Sequence, residues 1–200
     1  MNTKNRQTEV ASGTHSVKKK TKNEFAVRSG RECAYLAVFV ALVIAGQLAF
    51  SAVPGVEIVT VLFLSYAFVF GVRRGMIAAT AFALLRQLLF GFSPTVLILY
   101  LVYFNGLTAV FGALGRVVKK TLLALWWIVI VACVCTACFT MMDNLITPIW
   151  YGFSERATKV YFMASLPFML PQIICTALSV GIMFLPLQRV FLLVRKSLKK

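Results

Sequence analysis

The sequence predicts an all-α membrane protein, a six-transmembrane-helix bundle with N- and C-termini cytoplasmic. Three observations predict it. Hydrophobic residues make up 60% of the chain and charged residues 14%, where a soluble domain carries roughly a quarter charged, so the apolar surface is too large to cover in water. The apolar residues fall in six runs, near 33–52, 57–72, 75–92, 95–115, 121–143 and 160–188, against the ~20 residues (range ~17–25) that a straight span requires. Lys and Arg also alternate in density. Eight precede residue 32, two sit at Arg73-Arg74, three at Arg116, Lys119 and Lys120, and five follow from Arg189. The intervening links hold none near Pro54, none near Pro94 and two at Arg156 and Lys159. Six spans with both ends inside satisfy the positive-inside rule.

In chain order, residues 1–31 read as a disordered basic cytoplasmic tail, because they bury too little apolar surface to offset their ordering entropy. The run Lys18-Lys19-Lys20-Thr21-Lys22 is a solvated stretch with weak attraction to anionic lipid. No signal peptide is expected, since the basic region is long and the following run is long enough to span. Residues 32–190 form the bundle and 191–200 a second basic tail. The excess of 21 Lys+Arg over 6 Asp+Glu lies mostly in tails and links, which fits membrane topology and not nucleic-acid binding.

The first span carries Ala37, Ala41, Ala45 and Ala49, one every fourth residue, along one side of a helix. In lipid, small side chains promote close helix approach. The ladder serves either another helix of the same chain or a separate membrane subunit. The second and third spans are short, and Gly91-Phe92-Ser93-Pro94 interrupts the third. The fifth is expected to end at Asp143-Asn144. The sixth contains Pro167, Pro171 and Pro186, so its regular helix is expected between Pro167 and Pro186.

Polar groups at membrane depth cost ~2.5–3.5 kcal/mol when charged, and they gather toward one side. Glu57, following Pro54-Gly55, and Thr60 start the second span; Asp143 and Asn144 close the fifth; Gln172 and Thr176 lie four apart on the sixth. Each has a plain alternative. Glu57 suits a helix N-terminus, Asp143 and Asn144 suit an exit into water, and Gln172 suits a carbonyl freed by a proline. Arg86 is expected to pair internally with Glu57 or Asp143, the alternatives being snorkelling or an anionic ligand. Trp126, Trp127, Trp150 and Tyr151 fall near span ends as belt residues, with Trp150 and Tyr151 also placed to stack on a ligand. Tyr100 and Tyr103 are the further candidates to pack its rings.

Chemistry finds little footing. There is no Gly-rich phosphate loop, no H-E-x-x-H and no G-x-S-x-G, and Asp143 is the only Asp, which excludes an aspartyl pair. His15 is alone in the tail, so Cys135-Thr136-Ala137-Cys138 within CVCTAC has no metal-binding company and reads as small buried hydrophobes. The expectation is a binder or carrier: no enzyme, no cofactor, no metal.

These residues resemble the substrate-binding (S) components of energy-coupling factor (ECF) transporters, the vitamin importers of many bacteria. The resemblance rests on the ladder Ala37-Val38-Phe39-Val40-Ala41 and on Pro54-Gly55-Val56-Glu57-Ile58-Val59-Thr60. It rests also on Phe70-Gly71-Val72-Arg73-Arg74-Gly75, on Phe90-Gly91-Phe92, and on Asp143-Asn144-Leu145 with Leu166-Pro167-Phe168-Met169-Leu170, over roughly residues 32–190. Gly55 stands where such proteins usually have Asn, Gln172 and Thr176 where they often have His and Asn, and Arg86 where they have an acidic residue. The resemblance implies a multi-pass protein of the bacterial cytoplasmic membrane that captures a water-soluble vitamin from outside. It also implies docking through Ala37, Ala41 and Ala45 to a transmembrane coupling subunit with two ATPases. Glu57, Thr60, Arg86, Asp143, Asn144 and Gln172 would meet the polar edges of the ligand. The branch leans slightly to cobalamin or a related corrinoid, with riboflavin, biotin, thiamine-like compounds and a queuosine precursor open. A self-sufficient carrier or channel, using Arg86 and Glu57 as a polar pathway, is the alternative, and an assembly protein with capping carboxylates a third reading.

Overall fold

The computed structural model describes residues 30–50, 58–118 and 121–198. These form six α-helices, and no strand occurs among the described residues. They are α1 (Gly30–Ala49), α2 (Ile58–Phe70), α3 (Val72–Phe90), α4 (Pro94–Val117), α5 (Thr121–Tyr151) and α6 (Glu155–Ser197). Helices α1, α4, α5 and α6 are long and apolar enough to cross a membrane, as a multi-pass protein requires. The 13 residues of α2 make only about 20 Å of helix. Helix α3 has 19 residues, diluted by Arg73, Arg74 and Arg86.

The core is built on α2, where every residue from Thr60 to Val69 is buried. A helix apolar around its whole circumference has no face to offer a solvent and takes the middle of a bundle. Helices α1, α3, α4 and α6 pack around it, and α5 joins through α4 and α6. The Phe63 ring meets Phe39 at 5.5 Å, Phe82 at 5.2 Å and Phe104 at 4.9 Å, tying three neighbours to α2. Close approach relies on glycine: a methyl group at Gly112 would stand 2.5 Å from the Val72 nitrogen, and one at Gly115 would collide with the Phe68 carbonyl oxygen.

Sharp turns join the helices. Gly71 alone links α2 to α3 with φ +88°, and Gly91, φ +90°, opens the link to α4, a backbone region that favours glycine. Pro94 then occupies the first turn of α4, where its missing N–H is no loss. The chain therefore alternates between two ends. Arg74 reaches Glu32 at 2.7 Å and Arg195 donates to the Val69 carbonyl at 3.0 Å, gathering the starts of α1 and α3 with the ends of α2 and α6. This is the basic end. At the far end Gln47 meets Tyr100, and Asn144 meets Ser165.

Three expectations are corrected. Helix α5 does not stop at Asp143-Asn144 but continues two turns to Tyr151, because both side chains find partners on α6 and its own next turn and need no exit to water. Trp126 and Trp127 near one end of α5, and Trp150 and Tyr151 at the other, are exposed and separated by about 36 Å of helix, a span that suits the two interfaces of a bilayer. Helix α6 is continuous for 43 residues through Pro167, Pro171 and Pro186. All three prolines lie on its exposed side, so their rings meet no packed neighbour, and the rest of the ladder holds the helix together. Residues 191–198 are no loose tail: α6 runs to Ser197, and Phe191 is buried against Phe39, Tyr66 and Phe70. Of the tail expected at 1–31, Gly30 and Arg31 begin α1, and residues 1–29, with the lysine run among them, lie outside the described residues.

Candidate functional site

Polar side chains converge at the far end in two groups. The first joins α1, α3 and α4. Arg86 donates from Nε to Gln47 Oε1 at 3.2 Å, and Gln47 donates from Nε2 to the Tyr100 hydroxyl at 3.2 Å. The guanidinium stacks 4.4 Å from the Tyr100 ring centroid and 4.8 Å from that of Phe90, an electrostatically favourable placement of a cation over π faces. Gly46 stands beside Ile58, where an added methyl would touch its Cγ2 at 3.3 Å, so this group sits level with the first turn of α2. One residue on, buried Gln87 accepts the Ser93 N–H at 3.0 Å, capping the entry to α4. That bond fixes the amide orientation and leaves Nε2 without a partner among the described residues, as is the buried Thr95 hydroxyl.

The second group is a seam between α5 and α6. Thr136, Thr140, Asp143, Asn144 and Thr147 recur every three or four residues and so share one side of α5. Thr176 donates to the Gln172 carbonyl at 3.0 Å, so in the 3.1 Å contact between the two hydroxyls Thr136 is the donor. Thr140 donates to Gln172 Oε1 at 3.2 Å. Asp143 accepts from Thr147 at 2.9 Å and from the Tyr161 hydroxyl at 2.7 Å. Asn144 donates to Ser165 at 2.7 Å, whose own proton goes to the Phe162 carbonyl. The amide is thus oriented, and the buried Asn144 Oδ1 has no partner among the described residues. Tyr100 and Tyr103 connect the groups through the Phe139 ring at 6.0 and 4.7 Å.

The expected site residues divide accordingly. Arg86 and Tyr100 come together, and Asp143, Asn144 and Gln172 share the seam. Of the two partners expected for Arg86, Glu57 or Asp143, the Asp143 alternative is corrected, since Asp143 takes Thr147 and Tyr161 and Arg86 takes Gln47 and the two rings, while the Glu57 alternative lies outside the described residues. Thr60 is 1% exposed, inside the core on α2, and Tyr103 is buried against Phe104 and Phe139. Trp150 and Tyr151 turn outward at 53% and 59% exposure. Glu57 and the Pro54-Gly55 turn lie outside the described residues. Gln47, Tyr161 and Ser165 were not foreseen. Gln47 carried a signal, as the one strongly polar side chain in the apolar run of α1; Tyr161 carried none, because its role depends on how α6 lies on α5.

The ladder lies elsewhere. Ala37, Ala41, Ala45 and Ala49 are all exposed, while α1 packs inward through Phe39, Val40 and Val43. In chemical terms the far end offers oriented amides, a carboxylate, a stacked guanidinium and aromatic faces. Groups of these kinds are chemically suited to polar, ring-bearing molecules. No family model, curated protein or solved structure matches the chain.

Proposed function

We propose that this chain is the substrate-binding subunit of an ECF-type importer in the bacterial cytoplasmic membrane. In this reading both termini are cytoplasmic, the basic end faces the cytoplasm by the positive-inside rule, and the far end faces outward to collect a water-soluble vitamin. The observation that carries the reading is the exposure of Ala37, Ala41 and Ala45. Small residues within the bundle, such as Gly75, Gly112 and Gly115, are consumed by tight internal contacts, whereas the α1 ladder leaves its close-approach surface unshared. A coupling subunit with two ATPases would take that surface. Arg86, Tyr100, Asp143, Asn144 and Gln172 would hold the ligand, a corrinoid first among the candidates, and the family resemblance adds Glu57.

Proteoliposomes test it. The chain alone should bind cobalamin, or another vitamin of the riboflavin, biotin and thiamine set, without accumulating it; accumulation should require the coupling module and ATP. Ala41→Leu keeps the surface apolar, so ligand affinity should persist while import is lost. Accumulation by the chain alone under an ion gradient would instead establish a self-sufficient carrier, and normal import by Ala41→Leu would remove the ladder from docking.

A further inference from the structure

At the basic end, the backbones of α1 and α6 stay apart while the two helices meet through the Phe39 and Phe191 rings at 5.8 Å, and a groove of about 140 Å³ opens between them. Aromatic rings form its floor: Tyr66 stacks on Phe39 at 4.1 Å and on Phe70 at 4.6 Å, with Phe191 edge-on to Tyr66 at 5.8 Å. Leu42 and Val194 stand on opposite sides. The charged groups of the lining are confined to one end, where Arg74 donates to Glu32 at 2.7 Å. From Glu32 to Leu42 the groove follows α1 for about 15 Å, which is half of a ~30 Å hydrocarbon core.

We infer that this groove holds one acyl chain of an anionic phospholipid from the leaflet at the basic end, with the lipid phosphate at Arg74. Length and polarity fit an amphiphile lying along the membrane normal, headgroup at the interface and tail toward the midplane. Bore fits a single chain: an apolar cavity of ~150 Å³ holds one benzene, and a helix about 10 Å across does not enter. Charge fits an anion. Arg31, Arg73, Arg195 and Lys196 adjoin the charged end in sequence, against Glu32 alone. Arg74 is 39% exposed, and Glu32 takes a bond from one of its two terminal nitrogens, leaving further donors of its planar fork to face a phosphate.

Native mass spectrometry of the full chain, exchanged into micelles holding equal dioleoyl-phosphatidylglycerol and dioleoyl-phosphatidylcholine, tests the site. The expected result is one retained phosphatidylglycerol per chain in preference to phosphatidylcholine. Val194→Trp should fill the groove and abolish retention of either lipid. Arg74→Gln should weaken phosphatidylglycerol retention about fivefold, the effect of one cationic side chain near a membrane surface. Should that variant fail to fold with Glu32 left unpaired, the double variant E32Q/R74Q removes both charges and reads the same loss. Equal retention of the two lipids overturns the inference, as does parental retention by Val194→Trp or by the double variant. A polypeptide found in the groove with lipid excluded overturns it equally.

Discussion

Helix α4 carries three glycines whose replacement by alanine should change stability in opposite directions. At Gly106 an added methyl meets nothing within 4 Å, so only the backbone effect remains, a gain of up to about 1 kcal/mol from helix propensity and reduced freedom of the unfolded chain. At Gly112 the same methyl stands 2.5 Å from the Val72 nitrogen and 2.7 Å from its Cα, and at Gly115 it strikes the Phe68 carbonyl oxygen. Overpacking costs roughly 1–3 kcal/mol. Here the obstacles are backbone atoms that cannot rotate aside, so the upper part of that range applies. Less the propensity gain, each variant should lose about 2 kcal/mol. Titrating sodium dodecyl sulfate into mild-detergent micelles, with tryptophan fluorescence as readout, gives the three midpoints. A common sign for Gly106→Ala and Gly115→Ala would refute the claim that α2, α3 and α4 meet by close backbone approach.

The remaining predictions concern the far end. Thr136→Val and Thr176→Val should each cost about 0.6 kcal/mol, at most ~1.7, as for other hydrogen bonds between membrane helices; the double variant should cost less than the sum, and strict additivity would deny the bond. Arg86→Gln should cost about 1–2 kcal/mol of stability through the lost stack on Tyr100 and Phe90, and it should also weaken ligand binding, read by titration calorimetry. Asp143→Ala should weaken binding at least tenfold, ~1.4 kcal/mol. An unchanged isotherm would leave Asp143 as a structural acceptor for Thr147 and Tyr161 only.

Legibility in the sequence followed the range of the interaction. Helix number and the Gly91–Pro94 break depend on local composition and backbone preference, and both were readable. Helix ends were less so. Asp143 and Asn144 look like an exit to water because a carboxylate and an amide are costly in lipid, yet the Tyr161 hydroxyl donates to Asp143 and Ser165 accepts from the Asn144 amide, at 2.7 Å each. Those partners lie 18 and 21 residues along the chain, across a hairpin whose rotation no short-range pattern specifies. Proline has the same lesson in α6. Its local penalty is real, but Pro167, Pro171 and Pro186 face outward, where the ring displaces no packed side chain. The centrality of α2 was available from its unbroken apolar run, whereas the stacking of Arg86 on Tyr100 required the register of α3 against α4.

Helix α6 ties the two ends together unevenly. Its far portion holds Tyr161, Ser165 and Gln172 against α5, and within that stretch Pro167 and Pro171 deprive the carbonyls of Met163 and Pro167 of their helical N–H partners. The other portion is anchored by Phe191 in the aromatic core and by Arg195 on Val69. A ligand that competes for Asp143 or Gln172 therefore acts on the more weakly braced part of the helix. The alanine ladder belongs to α1, and among the described residues α1 and α6 share one packing neighbour, α2. In the proposed function, free energy passing from capture at the far end to docking on α1 has direct routes, through Gln47 to Arg86 and through Phe39 to Phe191, and an indirect one, a shift of α2 between two arrangements that both sites bias. The tightly filled contacts of Phe63 with Phe39 on one side and Phe82 on the other are where such a shift would be opposed most strongly.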